Sequence, residues 1–312
     1  MMTKFWGVRG SLPTPITPDQ VRSKIAAVVQ RIGPADLESQ QTREAFLARL
    51  PAYLFGTVGG NTTCVEVRGD DGTMIIFDAG SGIRELGVSL ARRKDPVREY
   101  HLFFTHFHWD HIMGLPFFDP AYMKGRTVHF YSPKETMEAT LRDQMRPPYF
   151  PVRMDVMQSD LRFHRLEGES VRIGDMEVRW HAMNHPGDSY SYRVMENGKT
   201  MIFATDAEVT ELQQGLEAKE FFQAADLLIL DSQYTLEESF SKFDWGHTAY
   251  TMAVNLAVEW QIRRLVLFHH EPRYDDRKVF SILRRAQWHR DQLDASFVTE
   301  ILTAREGMEI TL

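Results

Sequence analysis

Within Thr105-His106-Phe107-His108-Trp109-Asp110-His111, four side chains able to ligate a metal fall inside six residues. They follow the apolar run Leu102-Phe103-Phe104, where a buried strand should give way to a loop. A strand fixes the backbone leading in, and a loop lets neighbouring side chains turn toward one point. Imidazole nitrogen and carboxylate oxygen both suit zinc or a similar divalent ion, and four such groups together could hold two ions. That chemistry is hydrolytic, and it requires the rest of the chain to supply further ligands.

The elements that must position this cluster are legible as apolar runs rich in β-branched and aromatic residues. Strands are predicted at Met74–Phe77, His101–Phe104, Thr127–Tyr131, Met176–Trp180, Thr200–Ala204, Leu227–Leu230 and Leu265–Phe268. Several are continuously apolar, as expected of strands covered on both faces. Helical patterns lie between them, notably Thr248–Trp260 and Asp276–Arg290. This alternation reads as α/β. Five runs end on a polar residue: Asp78, His106, Asp206, Asp231 and His269. Asp and His also start turns and cap helices, which accounts for one or two such endings. Five in succession point to a shared site at one edge of a sheet.

The segment from Thr17 to Tyr53 reads as an insertion of two helices, Asp19–Ile32 and Leu37–Leu50, broken by Gly33-Pro34. Val21, Ile25, Val28, Val29 and Ile32 recur at helical spacing. Such a hairpin could be a lid, a subunit contact in a homodimer, or an extra packing layer.

Composition bounds the rest. The 312 residues carry 43% hydrophobic and 25% charged side chains, ordinary for a soluble globular protein. A single domain over 1–312 is expected. A net charge of −7 lacks the basic footprint of a general nucleic-acid binder. The one cysteine, Cys64, excludes an internal disulfide and fits a reducing compartment; its strand-like surroundings predict a packed, inert thiol. The start Met1-Met2-Thr3-Lys4-Phe5-Trp6 has no apolar signal segment, and no later run is long enough to span a membrane. A cytoplasmic protein is expected.

His106-x-His108-x-Asp110-His111 resembles the signature of the metallo-β-lactamase superfamily. Other landmarks agree in order: Asp78-Ala79-Gly80-Ser81-Gly82 resembles the early turn that buttresses the metal loop, and His185, Asp206 and His269 match the three later ligands. His270 is a rival for the last position. The resemblance implies a four-layer αββα sandwich of two mixed β-sheets with the site at one edge. It also implies two divalent ions, zinc before manganese or iron. His106, His108 and His185 would hold one ion, Asp110, His111 and His269 the other, with Asp206 between them.

A narrower resemblance bears on the reaction. Asp231-Ser232-Gln233-Tyr234-Thr235 followed by Gly246-His247-Thr248 is similar to the second half of the ribonuclease Z and cyclic phosphodiesterase branch. There an acidic residue and a histidine act together near the scissile phosphate, so Asp231 would orient His247. Phe5-Trp6-Gly7-Val8-Arg9-Gly10-Ser11, Gly59-Gly60-Asn61-Thr62 and Ile83-Arg84-Glu85-Leu86 resemble a bacterial subgroup often named simply metal-dependent hydrolases. The implied mechanism is attack by a metal-bridging hydroxide, the water pKa falling from ~16 towards ~7. Asp110 would serve as ligand and as orienting partner of the nucleophile, and His247 would assist departure of the leaving group.

For the substrate, a small or cyclic phosphodiester such as a cyclic nucleotide is expected. An RNA-processing member would need a flexible arm rich in Gly and Pro, which the sequence lacks. Gln144–Pro151 could wall a pocket, with Tyr149 or Phe150 stacking a base and Arg146 meeting a phosphate; it reads equally as a rigid packed loop. Asn61 and Arg9 could sit near the site, or Arg9 could pair with a surface carboxylate. The alternatives are a carboxylic ester, lactone or thioester hydrolase on the same centre, and a non-catalytic nucleotide-binding module. An oxidative di-iron role is disfavoured, because His108 stands where that branch usually carries glutamate.

Overall fold

All seven apolar runs form strands; Met74–Phe77, Leu227–Leu230 and Leu265–Phe268 are continuously hydrophobic because both faces are covered, whereas Met176–Trp180 alternates, with Arg179 exposed. The structure, a computed structural model, describes residues 1–208, 216–242, 245–293 and 297–312. One seven-stranded sheet has the order β14-β1-β2-β3-β4-β5-β6. It comprises β1 (Met2–Gly7), β2 (Cys64–Arg68), β3 (Met74–Phe77), β4 (Glu99–Phe103), β5 (Thr127–Ser132), β6 (Asp160–Arg165) and β14 (Glu309–Thr311). The other has the order β13-β12-β11-β10-β9-β8-β7. Its strands are β7 (Ser170–Ile173), β8 (Met176–Met183), β9 (Ser189–Glu196), β10 (Lys199–Ala204), β11 (Leu227–Asp231), β12 (Arg264–Phe268) and β13 (Glu300–Thr303). In each sheet four neighbouring strands run parallel, β3 to β6 and β10 to β13, and the remainder are antiparallel.

The sheets pack face to face through a dry core that includes Phe5, Val67, Phe77, Phe103, Tyr192, Phe203, Ile229 and Phe268. Phe77 sits at its centre, its ring 5.1 Å from Phe203 and 5.5 Å from Tyr192. The Tyr192 hydroxyl donates to the Phe104 carbonyl at 2.6 Å, tying the second sheet to the end of β4. Outside the first sheet lie α4 (Gly82–Arg93), α5 (Trp109–Ile112) and α6 (Met137–Gln144), over a core that includes Ile83, Leu86 and Leu141. Outside the second lie α7 (Leu216–Phe222), α9 (Tyr250–Glu259) and α10 (Asp276–Gln292), around Val254, Trp260 and Val279. The result is the expected four-layer αββα sandwich. Cys64 is fully buried in the first sheet, and burial pushes its thiol pKa well up, so the thiol is inert.

The N-terminal insertion is helical, as its spacing predicts: α1 (Pro18–Val29), α2 (Gln40–Arg49) and the single turn α3 (Ala52–Phe55). Thr17 and Ser39 cap the first two through reciprocal side-chain bonds with Gln20 and Thr42. Asp276 at the start of α10 anchors the segment, accepting from Lys24, Thr57 and the Val58 amide. The apolar stripe of α1 is not packed: Val21, Ile25 and Val29 are 40%, 58% and 63% exposed. Among the described residues no helix is long and apolar enough to cross a membrane.

Three imidazoles line up on one face of the first sheet, where register pairs His101 with His129 and Tyr131 with His164. His101 stacks on His129 at 4.7 Å and His129 on His164 at 5.2 Å. Burial, and then repulsion from its neighbouring imidazoles, pushes His101 down to about 4; burial likewise lowers His129 and His164. An unfolded chain takes up protons on these rings near pH 6.5, whereas the folded chain resists until lower pH. The contribution of His101 to stability is therefore full above pH 6.5 and falls as pH drops toward 4. Urea midpoints measured in chelator should decline over that window, and His101→Gln should make the decline shallower.

Candidate metal centre

The site lies off the carboxyl ends of the parallel strands, where an open sheet exposes its loops. Asp78 follows β3, the loop Thr105–Asp110 follows β4, Asp206 follows β10, Asp231 ends β11 and His269 follows β12. His185 comes from the β8–β9 loop. Asp78, Asp206 and His269 each adopt a left-handed backbone, with φ of 59°, 49° and 61°. That conformation turns the chain sharply as it leaves the strand and aims the side chain back over the strand ends.

The seven sequence-predicted ligands converge. His106, His108, His185 and Asp206 form one group, and Asp110, His111 and His269 another. Asp206 stands between them with its two oxygens divided. Its Oδ1 lies 3.8 Å from both His106 Nε2 and His185 Nε2, and its Oδ2 lies 3.1 Å from both His111 Nε2 and His269 Nε2. His108 Nδ1 closes the first group, 2.9 Å from His106 Nε2 and 3.2 Å from His185 Nε2. Asp110 Oδ2 closes the second, 3.3 Å from His111 Nε2 and 3.4 Å from His269 Nε2.

The partners of the opposite ring nitrogens explain the orientation. His106 Nδ1 meets Thr105 Oγ1 at 3.0 Å, and that hydroxyl donates to Asp78. His111 Nδ1 meets Asp78 Oδ2 at 2.8 Å, His185 Nδ1 the Gly246 carbonyl at 3.0 Å, and His269 Nδ1 the Gln233 Oε1 at 3.1 Å. Gln233 Nε2 donates to Glu271, which fixes the amide so that its oxygen faces His269. Each of these acceptors can hold an N–H on Nδ1, which turns the Nε2 atoms of the four rings toward one carboxylate.

Lone pairs facing lone pairs in a buried place need a cation. His111 Nε2 is buried with no hydrogen-bond partner. Burial opposes charge on His111, yet Asp206, Asp110 and Asp78 together hold its pKa well above the ordinary value. Burial also opposes ionisation of Asp206 and Asp110, and the surrounding histidines nonetheless keep both carboxyls ionised, well below the usual range. Burial and the proximity of His111 push His106 down. The donor set, three imidazoles on one side, two imidazoles and a carboxylate on the other and a carboxylate between, fits divalent ions that accept nitrogen and oxygen ligands.

His247 joins the site edge-on to His185 and stacked beside His269, with ring centroids 5.5 and 5.1 Å away. Its Nδ1 meets Asp231 Oδ2 at 2.7 Å, and the backbone N–H of Gln233 donates to the other carboxylate oxygen at 3.0 Å. Burial lowers the His247 pKa, but Asp231 outweighs it and carries the group up to about 9. His108, His185, Asp206, Trp245 and His247 line an open cavity of about 390 Å³.

The structure places three other expected residues elsewhere. Arg146 lines a separate cavity of about 220 Å³ with Arg142 and Asp155. Its guanidinium pairs with Asp143 and lies 5.5 Å over the Tyr149 ring, which is 69% exposed. Asn61 is occupied with Glu306 and Ser81. None of the three lines the cavity beside the histidines. Arg9 lies behind the site rather than on a surface carboxylate: it is bridged to His270, is buried and donates to the carbonyls of Gly59, Glu271 and Tyr274. His270 points away and donates to the Ala304 carbonyl, with burial pushing it down to about 3, so His269 is the member of the cluster.

Sequence reasoning missed the N-terminal clamp. The Gly10 amide donates to the His270 carbonyl and the Ser11 amide to Asp110 Oδ2 at 2.7 Å. Gly10 is needed because a Cβ there would sit 2.5 Å from the His269 ring. A Cβ on Gly246, whose φ is +78°, would press on His185 Nδ1. The glycines stood in the motifs, but their reason is spatial.

Residues 73–270 match the family described as the beta-lactamase superfamily domain. The chain belongs to that superfamily as a metallo-β-lactamase-fold hydrolase, and it resembles the ribonuclease Z branch. It is 24% identical to ribonuclease Z of Oceanobacillus iheyensis over 264 residues, covering 68% of this chain and 83% of the relative. Two solved structures share the fold. YhfI of Bacillus subtilis, a metallo-beta-lactamase fold protein, gives a TM-score of 0.66 at 14% identity, with 99% of this chain and 98% of that one covered. A diphosphatase of the PhnP family gives 0.65 at 17% identity, with 100% and 97% covered. Gly10→Ala and Gly246→Ala should each lower divalent-metal affinity about tenfold or more through displaced imidazoles. Metal content after dialysis checks this, with circular dichroism unchanged.

Proposed function

We propose that this protein is a dinuclear metal-dependent phosphodiesterase acting on a small or cyclic phosphodiester, such as a cyclic nucleotide. The observation that carries the reading is the Asp231–His247 pair, joined at 2.7 Å, in which buried Asp231 backs His247 and His247 faces the same cavity as the ligand groups. A phosphodiester carries a charged oxygen already in the ground state for the His247 imidazolium to meet, which a neutral carboxylic ester or lactone does not. His106, His108 and His185 would hold one ion and Asp110, His111 and His269 the other, with Asp206 shared. When bound, the ions supply Lewis acidity toward the phosphoryl oxygens and the attacking water.

The chain's own residues do the rest. Asp231 holds the Nδ1 proton of His247, so the opposite nitrogen is the one free to address the substrate. As an imidazolium it can donate to a phosphoryl oxygen or protonate the leaving alkoxide. The Ser11 amide fixes Asp110, whose carboxylate would orient the incoming water. A cavity of about 390 Å³ suits a nucleotide-sized ligand. The diphosphatase among the fold neighbours is compatible with a small phosphorylated substrate, and the lone buried Cys64 with a cytoplasmic setting.

A second reading, cleavage of RNA, is favoured by the name of the Oceanobacillus iheyensis relative. The net charge of −7 opposes it. Cyclic mononucleotides, cyclic dinucleotides, 2′,3′-cyclic phosphates, a transfer-RNA precursor and a lactone panel should be compared on the metal-loaded enzyme. The expected outcome is turnover of a cyclic phosphodiester far above that of the others. Turnover confined to lactones would overturn the proposal. Asp206→Ala should abolish activity and metal retention together. His247→Ala should cut kcat by about 10²–10⁴ with metal content unchanged.

A further inference from the structure

A second set of metal-capable side chains lies well away from the hydrolytic centre. Glu99 and His101 on β4 and His129 on β5 each offer one ligand atom, and these atoms lie within 4.8 Å of one another. His101 lies within β4 and His106 beyond its end, five residues on, so at ~3.3 Å per extended residue the chain between them spans at most about 17 Å. Register explains the grouping. Glu99 pairs with Thr127 and His101 with His129, so all three side chains share the sheet face that also carries Phe103 and Tyr131.

The nitrogens are already arranged for a ligand. His129 is 7% exposed, yet its Nε2 is buried with no hydrogen-bond partner and lies 3.8 Å from Glu99 Oε2. Its other nitrogen, Nδ1, meets His164 Nε2 at 2.9 Å. His101 Nδ1 meets the Tyr131 hydroxyl at 3.1 Å. Each ring therefore has Nδ1 engaged, with His164 and Tyr131 able to accept its proton, and Nε2 left as the lone-pair donor. This is the arrangement by which outer partners orient metal-binding imidazoles. A buried polar atom without a partner is costly, and a cation beside a carboxylate is the chemistry that relieves it. Arg162, opposite His129 in the neighbouring strand, is held by Asp160 at 2.7 Å, so its charge is largely offset.

We propose that Glu99, His101 and His129 form an additional site for a divalent transition ion of the zinc class, open to solvent on the Glu99 side. Two imidazoles and one carboxylate match the nitrogen–oxygen preference of zinc, and water would complete the shell. The ion would join β4 to β5 across their paired residues and stabilise the sheet, by mass action, in proportion to free zinc. The inference is independent of the substrate proposed above.

The test uses the untagged, full-length protein, equilibrated with zinc buffered in the micromolar range and assayed for bound zinc by mass spectrometry. Wild type should carry one zinc per chain more than Glu99→Gln or His129→Gln, with hydrolytic activity equal in all three. Glu99 is exposed and its replacement leaves the fold intact, so the test survives even where His129→Gln does not fold. Tyr131→Phe should weaken zinc binding at this site about tenfold by releasing His101 Nδ1. Equal zinc content in wild type and Glu99→Gln would overturn the site. Unchanged affinity in Tyr131→Phe would overturn the role given to the hydroxyl.

Discussion

The Asp206 carboxylate, buried between two sets of imidazoles, is the constraint on which the rest depends. Its oxygens address different rings, so the two groups of donors are held as one charged cluster rather than as separate sites. An ionised carboxylate is tolerated at this depth only because cations or protonated imidazoles surround it. The Nδ1 acceptors Thr105, Asp78, Gln233 and Gly246 make that surround permanent, since each fixes a ring that would otherwise rotate. The strand ends, the inter-sheet core and the N-terminal clamp then serve to keep those acceptors in place.

The clamp shows how far the dependence reaches. Gly10 and Ser11 lie beyond the far end of β1, so the first strand of the chain delivers its backbone amides to the ligand loops. Tyr192 performs a similar service from the second sheet by holding the Phe104 carbonyl. The site is thus assembled from loops of both sheets, and neither sheet alone contains a complete donor set.

Much of this was legible in the residues. The strands β3, β4, β5, β10, β11 and β12 stand out because burial on both faces favours apolar runs, and β8 because apolar and polar residues alternate along it. β6 and β7 are harder to see, since they are edge strands whose exposed positions carry Asp, Arg and Ser. The histidines and aspartates were visible by type and order. How Asp206 divides its oxygens was not, because it depends on loops far apart in sequence. Arg146 and Tyr149 mislead for a related reason: an aromatic beside a cation reads like a ligand contact, whereas here the two stack on each other. The α1 stripe likewise has the spacing of a packed face, but the structure leaves it in solvent.

The left-handed backbone at Asp78, Asp206 and His269 carries an evolutionary consequence. Such a conformation costs on the order of 1–2 kcal/mol for residues with a Cβ, and each of these positions also concentrates buried charge. Selection for stability alone would remove both burdens at once, by drifting these positions toward glycine or asparagine. A lineage released from hydrolysis would therefore lose its ligands quickly and gain robustness as it did so. The presence of two donors, Asp206 and His269, and of the buttress Asp78 in this conformation sets metal binding against the preference of the fold.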